Sequence, residues 1–77
     1  TRALIVKLAA AGDVLRSTSI LPALHAAHPG LHVSWITAAG AVPLLERNRW
    51  IDRVIPFRGA LPVELAAERF DLVINLD

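Results

Sequence analysis

Short, nearly continuous apolar runs alternate along the chain with segments whose apolar positions recur at helical spacing. The first run, A-L-I-V-K-L, is rich in Ile, Val and Leu, as is typical of a strand covered on both faces of a parallel sheet. Three later runs are also short, apolar and bounded by turn signals. The four predicted strands are residues 3–8, 31–37, 53–57 and 70–76.

Three helical segments separate the predicted strands. The first begins at Asp13, which occupies the position expected of a helix N-cap, and it ends at a Pro-Gly turn signal after residue 28. Pro22 lies inside this segment and is expected to kink it or tighten its turns, because proline removes a backbone donor and crowds the preceding turn. The other two helices are predicted at residues 41–48 and 62–69.

Four strands that alternate with helices predict a Rossmann-like α/β fold. Parallel neighbours require connections long enough to carry a helix, and such crossovers are almost always right-handed. We therefore expect a parallel sheet with strand order 3-2-1-4 and flanking helices. Sheet growth reverses between the first and fourth strands, and ligands of open α/β sheets bind at such a switch point. The loop at residues 9–13 lies there.

The composition indicates part of a larger structure. The chain has 77 residues, of which 55% are hydrophobic and 19% charged. A chain this short buries only about 60% of its unfolded surface and has few polar residues to cover the rest, so we expect it to pack against something else. It starts at Thr1 without an initiator Met and stops just after an apolar run. We interpret residues 1–77 as a partial domain of a longer protein.

Charge and cysteine content exclude several classes of site. The formal net charge is +1, and the Lys and Arg residues are dispersed, so the sequence shows no nucleic-acid footprint. There is no cysteine for a disulfide or thiolate site, and the three histidines lack a metal-ligand spacing. No apolar stretch reaches the length of a membrane span, and no signal-peptide pattern is present. We expect a soluble or membrane-peripheral protein in the cytoplasm.

Loop 9–13 is the strongest candidate for chemistry. A helix N-terminus presents unpaired backbone N–H groups, so Ala11 and Gly12 are candidates for binding an anionic or hydroxyl-rich ligand. Local sequence alone favours simpler roles: Gly12 for a positive φ or close packing, and Asp13 as a helix cap. Neither G-x-G-x-x-G nor G-x-x-x-x-G-K-[ST] is present, so no dinucleotide site is expected in this half.

Four segments of the chain, in the same order and at compatible spacing, resemble the start of the bacterial heptosyltransferases of glycosyltransferase family 9. The most diagnostic feature is the G-D-V motif at the start of the first helix. The segments are L-I-V-K-L-A-A-A-G-D-V-L-R-S-T-S-I-L-P-A-L, H-P-G-L-H-V-S-W-I-T, P-L-L-E-R-N-R-W-I-D-R-V-I-P-F and E-R-F-D-L-V-I-N-L-D.

The resemblance implies an enzyme of the GT-B fold, with two Rossmann-like domains and an active site between them. This chain would belong to the acceptor-side domain, with the donor-binding domain outside it. The family transfers heptose from ADP-heptose to the inner core of lipopolysaccharide with inversion, without a metal or other cofactor. The resemblance makes Asp13 the general base, which takes the proton of the attacking sugar hydroxyl. It also implies peripheral contact with the inner membrane.

Other positions carry weaker signals. Family members often have hydroxyl residues where this chain has Ala9 and Ala10, which removes two hydrogen-bonding groups and affects the choice of acceptor. The resemblance places Arg58 among the residues that hold the acceptor's anionic groups, although a solvated loop arginine is an equal alternative. Ser17 and Thr18 are candidate substrate ligands, whereas helical hydroxyls more often bond to the preceding turn.

A second hypothesis remains open from the residues alone. A non-catalytic α/β module could use the same loop to bind a small anion or a partner protein. Lys7 is likewise open to two interpretations: its side chain points into the ligand cleft, or it snorkels at the sheet edge.

Overall fold

In the computed structural model, which describes residues 1–60 and 62–77 apart from the side chains of Glu64 and Ala66, four strands form one parallel sheet. Their spatial order is β3-β2-β1-β4, which confirms the prediction. The third strand has the predicted bounds, whereas the first and fourth are shorter than predicted. The strands are β1 (Arg2–Val6), β2 (His32–Ala38), β3 (Arg53–Phe57) and β4 (Leu72–Asn75).

The first helical segment is divided in three by Pro22. An α-helix, α1 (Ala11–Ser17), leads into a 3₁₀ turn at Thr18–Ile20 and then into α2 (Leu21–Ala27), with Pro22 in its first turn. Because proline has no N–H to donate to the carbonyl four residues before it, the Leu21 N–H bonds to the Thr18 carbonyl instead. The predicted tightening at Pro22 is confirmed.

The two later helices are shorter than predicted. The segment expected at residues 41–48 forms a 3₁₀ turn, Ala39–Ala41, and a single α-helical turn, α3 (Val42–Leu45). The segment expected at residues 62–69 is a 3₁₀ helix, Val63–Ala67. It stops because Glu68 has an extended backbone, with φ −88° and ψ 148°, and its carboxylate is bonded to Arg53.

The sheet is covered on both sides. On one side, α1, α2 and α3 pack on the sheet over a cluster of fully or nearly fully buried apolar residues. Each large aliphatic side chain so buried contributes about 1.5–3 kcal/mol relative to exposure. The largest fully buried members of this cluster are Ile5, Val14, Leu21, Val33, Trp35 and Leu45.

The opposite side of the sheet has a smaller cluster. Ile36 and Ile55 are buried there beneath Leu65 of the 3₁₀ helix. Toward β4 this side opens, and Val73 is 65% exposed. As expected, β1 and β2 contain few polar residues because they have packed neighbours on both faces of the sheet.

The outer strand β3 contains Pro56, which pairs in register with Thr37 of β2. Proline lacks a backbone donor and is therefore confined to edge strands, strand starts and bulges. Its presence in β3 agrees with the position of this strand at one end of the sheet.

Candidate functional site

The carboxyl ends of the strands meet at one edge of the sheet because all of them run in parallel. At this edge β1 lies between β2 and β4, although the chain reaches β4 only after building β2 and β3 outward. The edge between β1 and β4 is therefore the switch point at which open α/β sheets bind ligands. Residues 7–10 connect β1 to α1, so the last three residues of the predicted loop 9–13 form the first turn of this helix.

Asp13 is the third residue of α1, and the prediction that it is the N-cap is wrong. Ala10 is the N-cap, with φ −55° and ψ 151°, and the N–H groups of Asp13 and Val14 both donate to its carbonyl. The helix starts three residues earlier than predicted because the extended backbone of Ala10, not a capping side chain, sets its beginning. No side-chain hydrogen bond caps α1.

The carboxylate of Asp13 is exposed, and its ion pair within the described residues is weak. Its side chain is 55% exposed, and its ion pair with Arg16 is long, with 3.9 Å between Oδ1 and Nη1. An acid in the first helical turn is stabilised by the helix dipole without spending its lone pairs on a cap. The carboxylate oxygens of Asp13 therefore remain accessible from solvent.

Gly12 has none of the structural reasons expected of it. Its φ is not positive, and a Cβ built on it has no atom within 4 Å. The explanation by positive φ or by close packing within the chain is wrong, because nothing in the described residues requires a glycine there. Gly12 and Ala11 are both exposed and give the start of α1 a bare backbone surface next to Asp13.

The hydroxyls of Ser17 and Thr18 bond back to the helix. Ser17 Oγ donates to the Asp13 carbonyl at 2.7 Å, and Thr18 Oγ1 donates to the Leu15 carbonyl at 2.6 Å. This is the local pattern expected of helical hydroxyls. Their role in substrate binding stays a prediction, with the oxygen lone pairs as the groups left for it.

Arg58 follows β3 at the same edge of the sheet. It is exposed and lies in a turn with Gly59, whose φ of 87° favours glycine. Within residues 1–60 and 62–77 it forms no ion pair. Arg58 follows β3, which β2 separates from β1.

Lys7 and Asp77 join the ends of β1 and β4. The Lys7 ammonium donates to the Leu76 carbonyl at 2.9 Å and lies 3.6 Å from Asp77 Oδ1. The Leu8 N–H is shared between the two Asp77 carboxylate oxygens, at 3.0 and 2.9 Å. Lys7 therefore binds the neighbouring strand end, and its side chain is only 15% exposed. We call this arrangement the Lys7–Asp77 clamp.

The amino edge of the sheet holds a second group of charges. Arg53 donates to both carboxylate oxygens of Glu68, at 2.8 and 2.7 Å, and Arg2 adds a bond at 3.1 Å. Hydrogen bonding from Arg53 lowers the pKa of Glu68 below its ordinary value against partial desolvation, and the charges of both arginines act in the same direction. Asp71 accepts the Arg2 backbone N–H at 2.8 Å.

Residues 1–60 and 62–77 contain neither a group of metal ligands nor a membrane-spanning helix. In that part of the chain no three His, Cys, Asp or Glu side chains converge closely enough to hold a metal ion. Among the same residues, no helix has the length and apolar character needed to cross a bilayer. The rings of His25 and Trp50 pack against each other at a tilt of 44°, with centroids 4.9 Å apart, and His25 Nε2 lies 2.8 Å from the Trp50 carbonyl oxygen.

Sequence reasoning did not identify three residues at the carboxyl edge. Arg16 could have been found from its spacing of three residues from Asp13 on a helix. Asn75 and Asp77 interrupt an apolar strand at its carboxyl end, which is a signal for residues at a switch point.

Comparison with known proteins gives a consistent set of structural neighbours. No family model and no curated protein sequence matches the chain. Escherichia coli heptosyltransferase WaaC with ADP matches with a TM-score of 0.85 and 32% identity, over 97% of this chain and 27% of that one. The same enzyme with ADP-2-deoxy-2-fluoro heptose gives 0.80 and 26%, over 97% of this chain and 29% of that one.

A third neighbour comes from another organism. The glycosyl transferase family 9 protein of Veillonella parvula DSM 2008 matches with a TM-score of 0.84 and 25% identity. The match covers 99% of this chain and 25% of that protein. The chain thus spans between a quarter and a third of the length of each of these proteins.

Proposed function

We infer that this chain, which belongs to glycosyltransferase family 9, forms the acceptor-side part of an inverting glycosyltransferase that moves heptose from ADP-heptose to the lipopolysaccharide inner core. The fold and the structural neighbours support a glycosyltransferase. The heptose donor is suggested by two WaaC structures, one with ADP and one with a fluorinated ADP-heptose. We propose that a second, donor-binding domain follows in the full-length protein.

One observation carries the proposal: the exposed carboxylate of Asp13 lies at the switch point beside a glycine that the described fold does not require. A glycine in a helix costs about 0.5–1 kcal/mol relative to alanine. A destabilising glycine is typical of positions where a ligand or another backbone must approach closely. The bare surface of Gly12 and Ala11 supports a sugar ring placed against the start of α1.

In the proposed reaction Asp13 acts as the general base. Its carboxylate takes the proton of an acceptor hydroxyl while that oxygen attacks the anomeric carbon of the donor. The bond from the anomeric carbon to the diphosphate oxygen breaks, and ADP leaves with the electron pair. Attack from the side opposite the leaving group inverts the configuration. The rigid helix fixes the direction of the carboxylate.

The remaining site residues would bind substrate. Backbone N–H groups of Ala11 and Gly12 donate to acceptor oxygens, and Arg58 pairs with an anionic group of the acceptor core. Ser17 and Thr18 offer the remaining lone pairs of their hydroxyl oxygens, whose protons are donated to backbone carbonyls. We propose that the reaction needs no metal or other cofactor, and we assign stabilisation of the departing ADP to the second domain. We place the enzyme in the cytoplasm, at the periphery of the inner membrane.

The test is heptose transfer by the full-length protein and its Asp13→Asn variant, with ADP-heptose and a lipopolysaccharide core acceptor. Loss of turnover with preserved folding is expected. The matched control is Glu46→Gln, which removes another exposed carboxylate after α3 and should leave turnover unchanged. Near-normal turnover in Asp13→Asn would remove the base assignment and favour the non-catalytic module that binds a small anion or a partner.

A further inference from the structure

The Lys7–Asp77 clamp lies immediately before loop 9–13. At this end of the sheet, the last backbone hydrogen bond between β1 and β4 runs from the Leu76 N–H to the Val6 carbonyl, at 2.9 Å. Beyond this bond the strands would separate. The clamp continues their pairing with side chains, through the ammonium of Lys7 and the carboxylate of Asp77.

The clamp is held from both strands. Its carboxylate accepts the Leu8 N–H through both oxygens, and the Asp77 N–H donates to Asn75 Oδ1 at 3.0 Å. The Lys7 side chain is 15% exposed and the Asp77 side chain 32%. Hydrogen bonds made by charged groups are stronger than neutral ones, and partial burial reduces their screening by solvent.

The clamp is connected to Asp13 through a short, direct path. Leu8 is fixed by Asp77, only Ala9 separates it from the N-cap Ala10, and the Ala10 carbonyl accepts the Asp13 N–H at 2.9 Å. A shift of Leu8 therefore moves the first turn of α1. A misplacement of about 1 Å can cost about a hundredfold in rate.

We propose that Lys7 and Asp77 are positioning residues that set the direction of the Asp13 carboxylate by locking the end of β1 to the end of β4. This proposal rests on the proposed function, since it assumes that Asp13 is the base. The clamp acts on the chemical step and not on the binding of substrate. Neither side chain needs to touch the sugar.

The experiment compares Lys7→Met, Lys7→Arg and Asp77→Asn in the full-length enzyme. For Lys7→Met we expect kcat per folded enzyme to fall about ten- to a hundredfold, with the KM for both substrates changed less than about twofold. Lys7→Arg keeps the cation and should retain more of kcat. Asp77→Asn keeps an acceptor for Leu8 and serves as the milder variant should Lys7→Met fold poorly.

Two further readouts separate positioning from simple stability. Hydrogen–deuterium exchange should accelerate in the peptide containing Leu8 in Lys7→Met and Asp77→Asn. Arg53→Met, which breaks the Arg53–Glu68 ion pair at the amino edge, should lower Tm and leave kcat per folded enzyme unchanged.

The proposal is overturned if the two clamp variants keep the parental kcat, whether or not their Tm falls. It is also overturned if KM rises at constant kcat, since Lys7 would then bind substrate directly. Turnover that survives Asp13→Asn overturns the proposed function itself. The exchange readout at Leu8 then still reports whether the clamp holds the loop.

Discussion

The charged residues at the two edges of the sheet differ in how they are paired and in how exposed they are. At the amino edge, Arg53 is bonded through two nitrogens to Glu68, and Arg2 joins the same carboxylate. At the carboxyl edge, the side chain of Asp13 is 55% exposed and that of Arg16 84% exposed, with a long contact between them. The charges of the amino edge are paired within the chain, whereas Asp13 and Arg16, which lie outside the Lys7–Asp77 clamp at the carboxyl edge, are presented to solvent.

This difference separates stability from chemistry. The amino edge ties β1 and β3 to the segment before β4 through charged hydrogen bonds, so its residues should matter to folding. The carboxyl edge gains little stability from Asp13, since exposed ion pairs contribute about 0–1 kcal/mol. We therefore expect variants of the amino edge to lower Tm and keep turnover, and variants of Asp13 to lower turnover and keep Tm.

The largest effect is expected from paired variants at the two edges. Asp13→Asn should lower kcat of the full-length enzyme by about 10²- to 10⁴-fold, the usual contribution of a general base. It should change the free energy of unfolding by less than about 1 kcal/mol. Glu68→Gln should lower Tm and keep kcat per folded enzyme. Turnover assays and thermal melts on both variants check this, and equal effects of both variants on either quantity would contradict it.

A smaller effect is expected at Gly12. Gly12→Ala should stabilise the fold by about 0.5–1 kcal/mol, because its backbone angles suit alanine and its Cβ meets nothing. Activity should nevertheless fall about tenfold, equivalent to about 1.4 kcal/mol of transition-state free energy. Denaturant titration and initial rates measure the two changes.

The control for Gly12 is Gly40→Ala, at another exposed glycine whose added Cβ also meets nothing. It should leave the rate unchanged. If Gly12→Ala were as active as the parent, no substrate would approach that backbone, and the main support for the site would be lost.

Arg58 should affect binding and not the chemical step. Arg58→Ala is expected to raise the KM for the acceptor about fivefold at constant kcat, because the guanidinium contacts a part of the acceptor remote from the reacting hydroxyl. Steady-state kinetics with varied acceptor measure this. Arg47→Ala, at an exposed arginine after α3, is the matched control. An unchanged KM would return Arg58 to the role of a solvated loop residue.

The mildest effect concerns pH. The pKa of Glu68 is lowered in the folded chain, chiefly by its hydrogen bonds from Arg53. A lowered pKa contributes stability above the unfolded value, about 4.3, and this contribution is lost as pH falls through the folded value. Tm should therefore decrease with acidification below about pH 4.5, and this part of the decrease should be absent in Glu68→Gln. Identical Tm–pH curves for both proteins would contradict it.

The fold could be predicted from the sequence because its signals are local and repeated. The apolar runs and the helical spacing between them gave the strand order, and β3 was predicted with its observed bounds. The start of α1 could not be predicted, since the A-A-A run has no capping side chain and Ala10 caps with its backbone alone. The helix at residues 62–69 was overestimated because Arg53, distant in sequence, holds Glu68 in an extended conformation.

The candidate site was only partly visible in the sequence. Asp13 was identified by its motif, although its position in the helix was assigned wrongly. The Lys7–Asp77 clamp joins residues far apart in the chain, and no local pattern links them. Only the parallel pairing of β1 with β4 brings the two side chains together.

Pro56 in β3 also bears on how the protein behaves at high concentration. An outer strand with free backbone groups is a template for pairing with another molecule, and this is a common route to aggregation. A proline in that strand removes one donor and makes such pairing less favourable. Pro56→Val, which introduces a good strand former, is therefore expected to promote self-association of the chain.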